Sequence, residues 1–97
     1  MRKFDSKHVA EAMLFSTEGG QALHVWHGVW PSPKPRCFKD GCEWGHLMDM
    51  DVGRLKVTVR RLGVRVIKVS RVGRRGQHID LCGKPLQLAI KECGNGK

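Results

Sequence analysis

Between residues 54 and 75 the sequence has no acidic residue, while nine basic ones fall there: Arg54, Lys56, Arg60, Arg61, Arg65, Lys68, Arg71, Arg74 and Arg75. Outside that stretch nine bases balance nine acids, so the net charge of +9 arises within it. A charge so concentrated points to an anionic partner: nucleic acid, an acidic protein groove or a membrane surface. Long apolar runs are missing too. No segment approaches the roughly 20 apolar residues of a membrane-spanning helix. The basic start, MRKFDSKHVAEAMLF, is broken by His8 and Glu11 and has no cleavage signature after it, which reads as no signal peptide. The expectation is a cytoplasmic protein with no membrane partner, its four cysteines reduced.

Turn-forming residues are plentiful. Twelve glycines and four prolines in 97 residues disfavour a helical bundle and predict one small domain, 1–97, of short elements. Asp5 or Ser6 can cap a helix over about 6–18, with Val9, Ala12, Met13 and Ser16 on one side and Gly19 and Gly20 ending it. The run QALHVWHGVW alternates and predicts a strand over about 22–30, with Leu23 and Val25 inward and His24, Trp26 and Trp30 outward. A connection rich in proline and cysteine occupies 31–53. Leu55, Val57 and Val59 then alternate with Lys56, Thr58 and Arg60. Gly63 suits a tight turn, and the chain returns through Val64, Val66, Ile67 and Val69, which predicts a basic β-hairpin over 54–73. Two C-terminal strands follow within 77–92, one around His78 to Cys82 and one carrying Leu86, Leu88 and Ile90. The fold class is α+β, with the N-terminal helix packed on a small antiparallel sheet of four or five short strands.

Four groups of side chains carry candidate chemistry. The nine bases of the hairpin can track phosphates. Trp26 and Trp30 can stack on bases or, with Trp44, anchor a protein partner, unless they are core. Cys37, Cys42 and His46 form a C-x4-C-x3-H array that supplies three corners of a zinc tetrahedron, with Cys82, Cys93 or His27 as the fourth. Buried or loosely exposed thiols are the simpler reading, and a Cys37 to Cys42 disulfide is disfavoured by a reducing compartment. No cofactor is therefore expected. Finally, His24, His27, His46 and His78 beside arginines are the minimum for a small ribonuclease, and Asp49 and Asp51 offer oxygen ligands for magnesium. None has a partner at diagnostic spacing, so the chain is expected not to be an enzyme.

No helix-turn-helix, GxxG loop or aromatic signature of an RNA-recognition sheet is present. In size, charge and lack of motif the whole chain resembles the small accessory proteins of bacteriophages and prophages that modulate host nucleic-acid enzymes, including inhibitors of RecBCD and of defence nucleases. That resemblance implies a non-enzymatic modulator docked on a host nucleic-acid-processing complex, the basic hairpin in an acidic groove and the tryptophans as anchors. Direct binding of DNA or RNA by the same hairpin is the principal alternative, and a small nuclease toxin the second.

Overall fold

The computed structural model describes residues 1–26 and 43–95 of the 97. It is α+β, with four strands, β1 (Arg2–Phe4), β2 (Gln21–Trp26), β3 (Trp44–Asp49) and β4 (His78–Cys82). Among the described residues three α-helices join them, α1 (Val9–Thr17), α2 (Val52–Arg61) and α3 (Gly83–Asn95), with a 3-10 turn over Ser6–His8. The strands lie in the order β1-β2-β3-β4. The sheet is mixed: β2, β3 and β4 are antiparallel neighbours, but β1 runs parallel to β2. A parallel pair needs a crossover, and α1 supplies it.

The helix predicted at 6–18 is thus the 3-10 turn followed by α1. Asp5 stands ahead of the turn and accepts from the His8 backbone through its own carbonyl, with no side-chain cap. Ala12 and Ser16, one turn apart, are buried against Ala22 and Met48, flanked by Phe4, Met13 and Phe15, whereas Val9 and Leu14 are exposed. Gly19, at φ +101°, ends the helix, and a side chain at Gly20 would collide with the Phe15 ring.

The larger core lies on the other sheet face. Leu23, Val25, Leu47, Ile79 and Leu81 pack there against Leu55, Val59 and Leu62 from α2 and its end, and Leu86 and Ala89 of α3. Leu23 and Val25 face inward as their alternation requires. Gly45 lets the layers close up, because a Cβ there would sit 2.8 Å from the His24 carbonyl oxygen and 3.2 Å from Leu86 Cδ1.

Two expected β elements are helices. Residues 54–73 do not form a hairpin: α2 covers the first half, and the rest is irregular apart from a bridge between Ser70 and His78. Leu55 and Val59 satisfy both a strand and a helix period. What separates the two is that Thr58 is buried at 6 % exposure while Val57 is 63 % exposed, the reverse of strand alternation. The Asp51 side chain accepts from the Arg54 backbone and caps the helix start. At the other end the Gly63 N–H donates to the Arg60 carbonyl and the Val64 N–H to the Val59 carbonyl, the paired bonds of a Schellman stop. Gly63, φ +95°, is therefore a helix terminator and not a hairpin turn. Likewise Leu86, Ala89, Ile90 and Cys93 recur at helical spacing on α3, and Leu88 is exposed, so the second C-terminal strand is absent. Pro85 is tolerated in the first turn, where its missing N–H costs no helical bond. Strand β3 falls inside the segment expected to be a connection. Residues 27–30 of the predicted strand, with Trp30 and His27, and the Cys37 and Cys42 pair lie outside the described residues.

Candidate functional site

Strand alternation and register build three rows of side chains across the sheet face that α1 partly covers. Cross-strand pairing aligns Trp26, Trp44 and Cys82, then His24, His46 and Asp80, then Ala22, Met48 and His78. Since α1 packs on the Ala22 and Met48 end, the tryptophans and histidines form the remainder of that face. Trp26 and Trp44 stack at 5.3 Å with planes 11° apart, and Trp44 is buried. His24 is also buried, edge-on to Trp26 at 4.6 Å. Its Nε2 lies 3.2 Å from the Ser6 carbonyl oxygen, and burial lowers its pKa below the ordinary histidine value. Of the aromatic groups expected to face outward, His24 is thus buried and Trp26 half-buried, and Trp30 lies outside the described residues.

At the centre of the face three ligating groups converge. Asp80 Oδ1 lies 3.3 Å from His46 Nε2 and 3.4 Å from His78 Nε2, and one donor atom from each residue falls within 4.8 Å of the others. The imidazoles are 4.2 Å apart between centroids. His78 and Asp80 share a face because they are two apart on one strand, and His46 is the direct cross-strand neighbour of Asp80. His78 Nδ1 lies 2.7 Å from the Gly76 carbonyl oxygen. A carbonyl only accepts, so Nδ1 carries the proton and Nε2 is the atom turned to the cluster. Asp80 Oδ1 is buried yet receives no well-formed hydrogen bond among the described residues.

Burial, followed by the neighbouring His78, pushes His46 down to about 4, with Asp80 acting in the opposite direction. For His78 burial also acts downward, but the Asp80 carboxylate and the Gly76 carbonyl outweigh it and its pKa is raised. Near neutral pH His46 is therefore a neutral imidazole. The cluster can hold a cation or exchange a proton between two unlike histidines. His46 and His78 were both legible as candidates; the signal for Asp80 is the alternation of H-I-D-L, which places its acid on the histidine's side of a strand.

The other predicted sites divide. All nine bases are exposed, but they do not share one ribbon face. Arg54 is structural: it grips the fully buried Asp49 carboxylate with Nε at 2.6 Å and a terminal nitrogen at 2.7 Å, and donates to the Gly19 carbonyl. Asp49 holds its guanidinium pKa further up. Arg61 is matched by Glu92 at 2.6 Å. Arg71, at φ +57°, donates to the Arg75 carbonyl and braces the glycine-flanked turn. Lys56, Arg60, Arg65, Lys68, Arg74 and Arg75 have no acidic partner among the described residues.

Asp49 and Asp51 are committed to Arg54 and to the cap of α2, so they do not make the expected magnesium pair. Cys82 is disulfide-bonded, against the expectation of reduced thiols, and offers no thiolate to a metal. This removes the cysteine argument for the cytoplasm. Cys93 is free and packs on the opposite core, where burial raises its thiol pKa, so it cannot complete a site at His46. Among the described residues no helix is long and apolar enough to cross a membrane.

Beside the cluster, a groove of about 580 Å³ runs along the outer side of β4. Asp80 and Cys82 line it with Arg65, Val66, Lys68 and Lys84. No family model, curated protein or solved structure matches this chain.

Proposed function

We propose that the protein binds nucleic acid directly, through phosphate contacts made by α2 and the irregular segment after it. One observation carries the reading: six exposed cations, Lys56, Arg60, Arg65, Lys68, Arg74 and Arg75, are strung along that segment and none forms an ion pair with a carboxylate among the described residues. Solvated faces ordinarily mix signs, and this molecule does neutralise bases where structure requires it, at Arg54 and Arg61. Arg65 and Lys68 also line the β4 groove, together with Lys84, so positive potential extends along the strand edge.

The rival reading, a modulator docked on a host enzyme, adds tryptophan anchors to the same basic segment, and of these Trp44 is buried and stacked on Trp26, which weakens the added contact. Phosphate contacts fix position without reading sequence, so binding is expected to be weakly sequence-dependent.

The test is fluorescence anisotropy with a labelled 20-nucleotide duplex and its single strand, repeated across potassium chloride concentrations. Six neutralised phosphates give a slope of log affinity against log salt of about −5 on duplex, or roughly a thousandfold loss between 50 and 200 mM. Reversing Arg60, Arg65 and Lys68 to glutamate should abolish binding at 100 mM salt. A slope near zero, or no binding at 50 mM, refutes the reading; recovery of one host complex from nuclease-treated lysate would then support the modulator.

A further inference from the structure

We propose that His46, His78 and Asp80 form a mononuclear site for a divalent transition-metal ion of the zinc type.

The distances are those of a coordination shell. Zinc bonds to imidazole nitrogen and carboxylate oxygen are about 2.0–2.2 Å, so two ligands at a tetrahedral angle stand about 3.3–3.5 Å apart. The two nitrogen-to-oxygen separations are 3.3 and 3.4 Å. All three donor atoms lie within 4.8 Å of one another, so an ion can be seated among them by side-chain adjustment.

One of the two imidazoles is already oriented from behind. Metal-bound histidines characteristically donate the distal N–H to a carbonyl or carboxylate, which fixes the ring and its tautomer. His78 does this with the Gly76 carbonyl, whose residue adopts φ +82° in the turn before β4. Asp80 Oδ1 is a buried acceptor that makes no hydrogen bond of standard geometry among the described residues and faces both imidazole nitrogens.

Access is sufficient. The side chains of His46, His78 and Asp80 are 21 %, 13 % and 34 % exposed, so an ion can enter without unfolding. Two nitrogens and one oxygen select zinc, cobalt or another ion of that group over calcium and magnesium, which prefer oxygen shells. Three protein ligands leave one tetrahedral position for water or a small ligand.

This ligand set contains His46 but no sulfur, unlike the array of Cys37, Cys42 and His46 expected from spacing. The difference sets the experiment. Cobalt(II) is titrated into the full chain, previously stripped with chelator, and followed by absorption; zinc affinity is then measured by competition with a chromogenic chelator. The expected result is one ion per chain, intense visible bands of tetrahedral cobalt, and no near-ultraviolet thiolate-to-metal band. His78→Gln and Asp80→Asn should each weaken zinc by 100-fold or more, beyond the loss of about 10–100-fold usual for outer-shell partners. His8→Ala, on the exposed 3-10 turn, should not. Zinc should also raise the melting temperature of the wild type and leave both variants unmoved.

A thiolate band, octahedral cobalt or no stoichiometric uptake by the wild type overturns the proposal, and these readings do not depend on any variant folding. Equal zinc affinity in folded His78→Gln overturns it too. Metal uptake should persist in the Arg60, Arg65 and Lys68 reversal, so nucleic-acid binding and metal binding can fail separately.

Discussion

Arg54→Ala should destabilise the protein more than the loss of any other base in the 54–75 segment. Its guanidinium holds both oxygens of Asp49, whose side chain is 0 % exposed, at 2.6 and 2.7 Å. After truncation the carboxylate keeps the Gln21 amide at 3.0 Å and the Asp51 N–H at 2.9 Å but loses its only close cation among the described residues. Breaking a buried pair from one side costs about 3–5 kcal/mol. The Arg54 side chain is 45 % exposed, so solvent already screens the pair and water can enter after truncation, which lowers the figure to about 2–3 kcal/mol. For a domain of this length that corresponds to a melting point lower by about 8–20 °C. Urea denaturation at pH 7 measures it as a lower midpoint at unchanged slope. Asp49→Asn with Arg54→Leu should recover part of the loss, because no uncompensated charge is then left inside. An Arg54→Ala loss below about 0.5 kcal/mol, the size of an ordinary surface change, refutes the structural role of the pair.

Other outcomes follow from the same geometry. Gly45→Ala drives a methyl group against the His24 carbonyl and Leu86, and should cost about 1–3 kcal/mol by urea denaturation; a neutral result means the strands are not so closely packed. Trp44→Ala empties a buried stacked site and should cost about 3–5 kcal/mol, where an exposed anchor would cost almost nothing. Stability with chelator present should fall on acidification. The folded pKa of His46, about 4, lies below the unfolded value, so its share of stability is complete above about pH 6.5 and lost as pH drops toward 4. That amounts to about 2 kcal/mol at pH 5. His78 is shifted upward and acts in the opposite sense, its contribution complete below about 6.5 and lost as pH rises through its folded value. Comparing His46→Gln with the wild type at pH 7 and pH 5 isolates the first effect, and an unchanged difference between the two pH values contradicts it.

Helix α1, the inward face of β2 and the strand at His78 to Cys82 could be read from periodicity and glycine stops because local pattern and tertiary burial agree there. Residues 55–59 misled because Leu55 and Val59 fit periods of two and of four, and Val57 between them completes the alternation of a strand. The deciding facts are tertiary: Thr58 is buried and accepts a hydrogen bond from Gln21, while Val57 points to solvent. Asp51 and Gly63 hold the local signals for the correct answer, a cap and a Schellman glycine bracketing ten residues of helix. Strand β3 was hidden because Gly45 and two polar positions, His46 and Asp49, dilute its pattern. With β3 concealed, the cross-strand partnership of His46 and Asp80 could not be seen, and His46 was grouped instead with cysteines near it in sequence. The charge asymmetry was legible from composition alone. Which arginines are structural was not, since Arg61 meets Glu92 from a helix expected to be a strand.

Nitrogen-15 NMR of the full chain, titrated with a 20-nucleotide duplex at low salt and then back-titrated with potassium chloride, tests the central claim most directly. The account predicts amide shifts concentrated at 56–75 and along the β4 groove, growing with DNA and reversed by salt, while α1 stays unmoved. Shifts gathered on α1 or β1 with 56–75 silent, or shifts indifferent to salt, would contradict it.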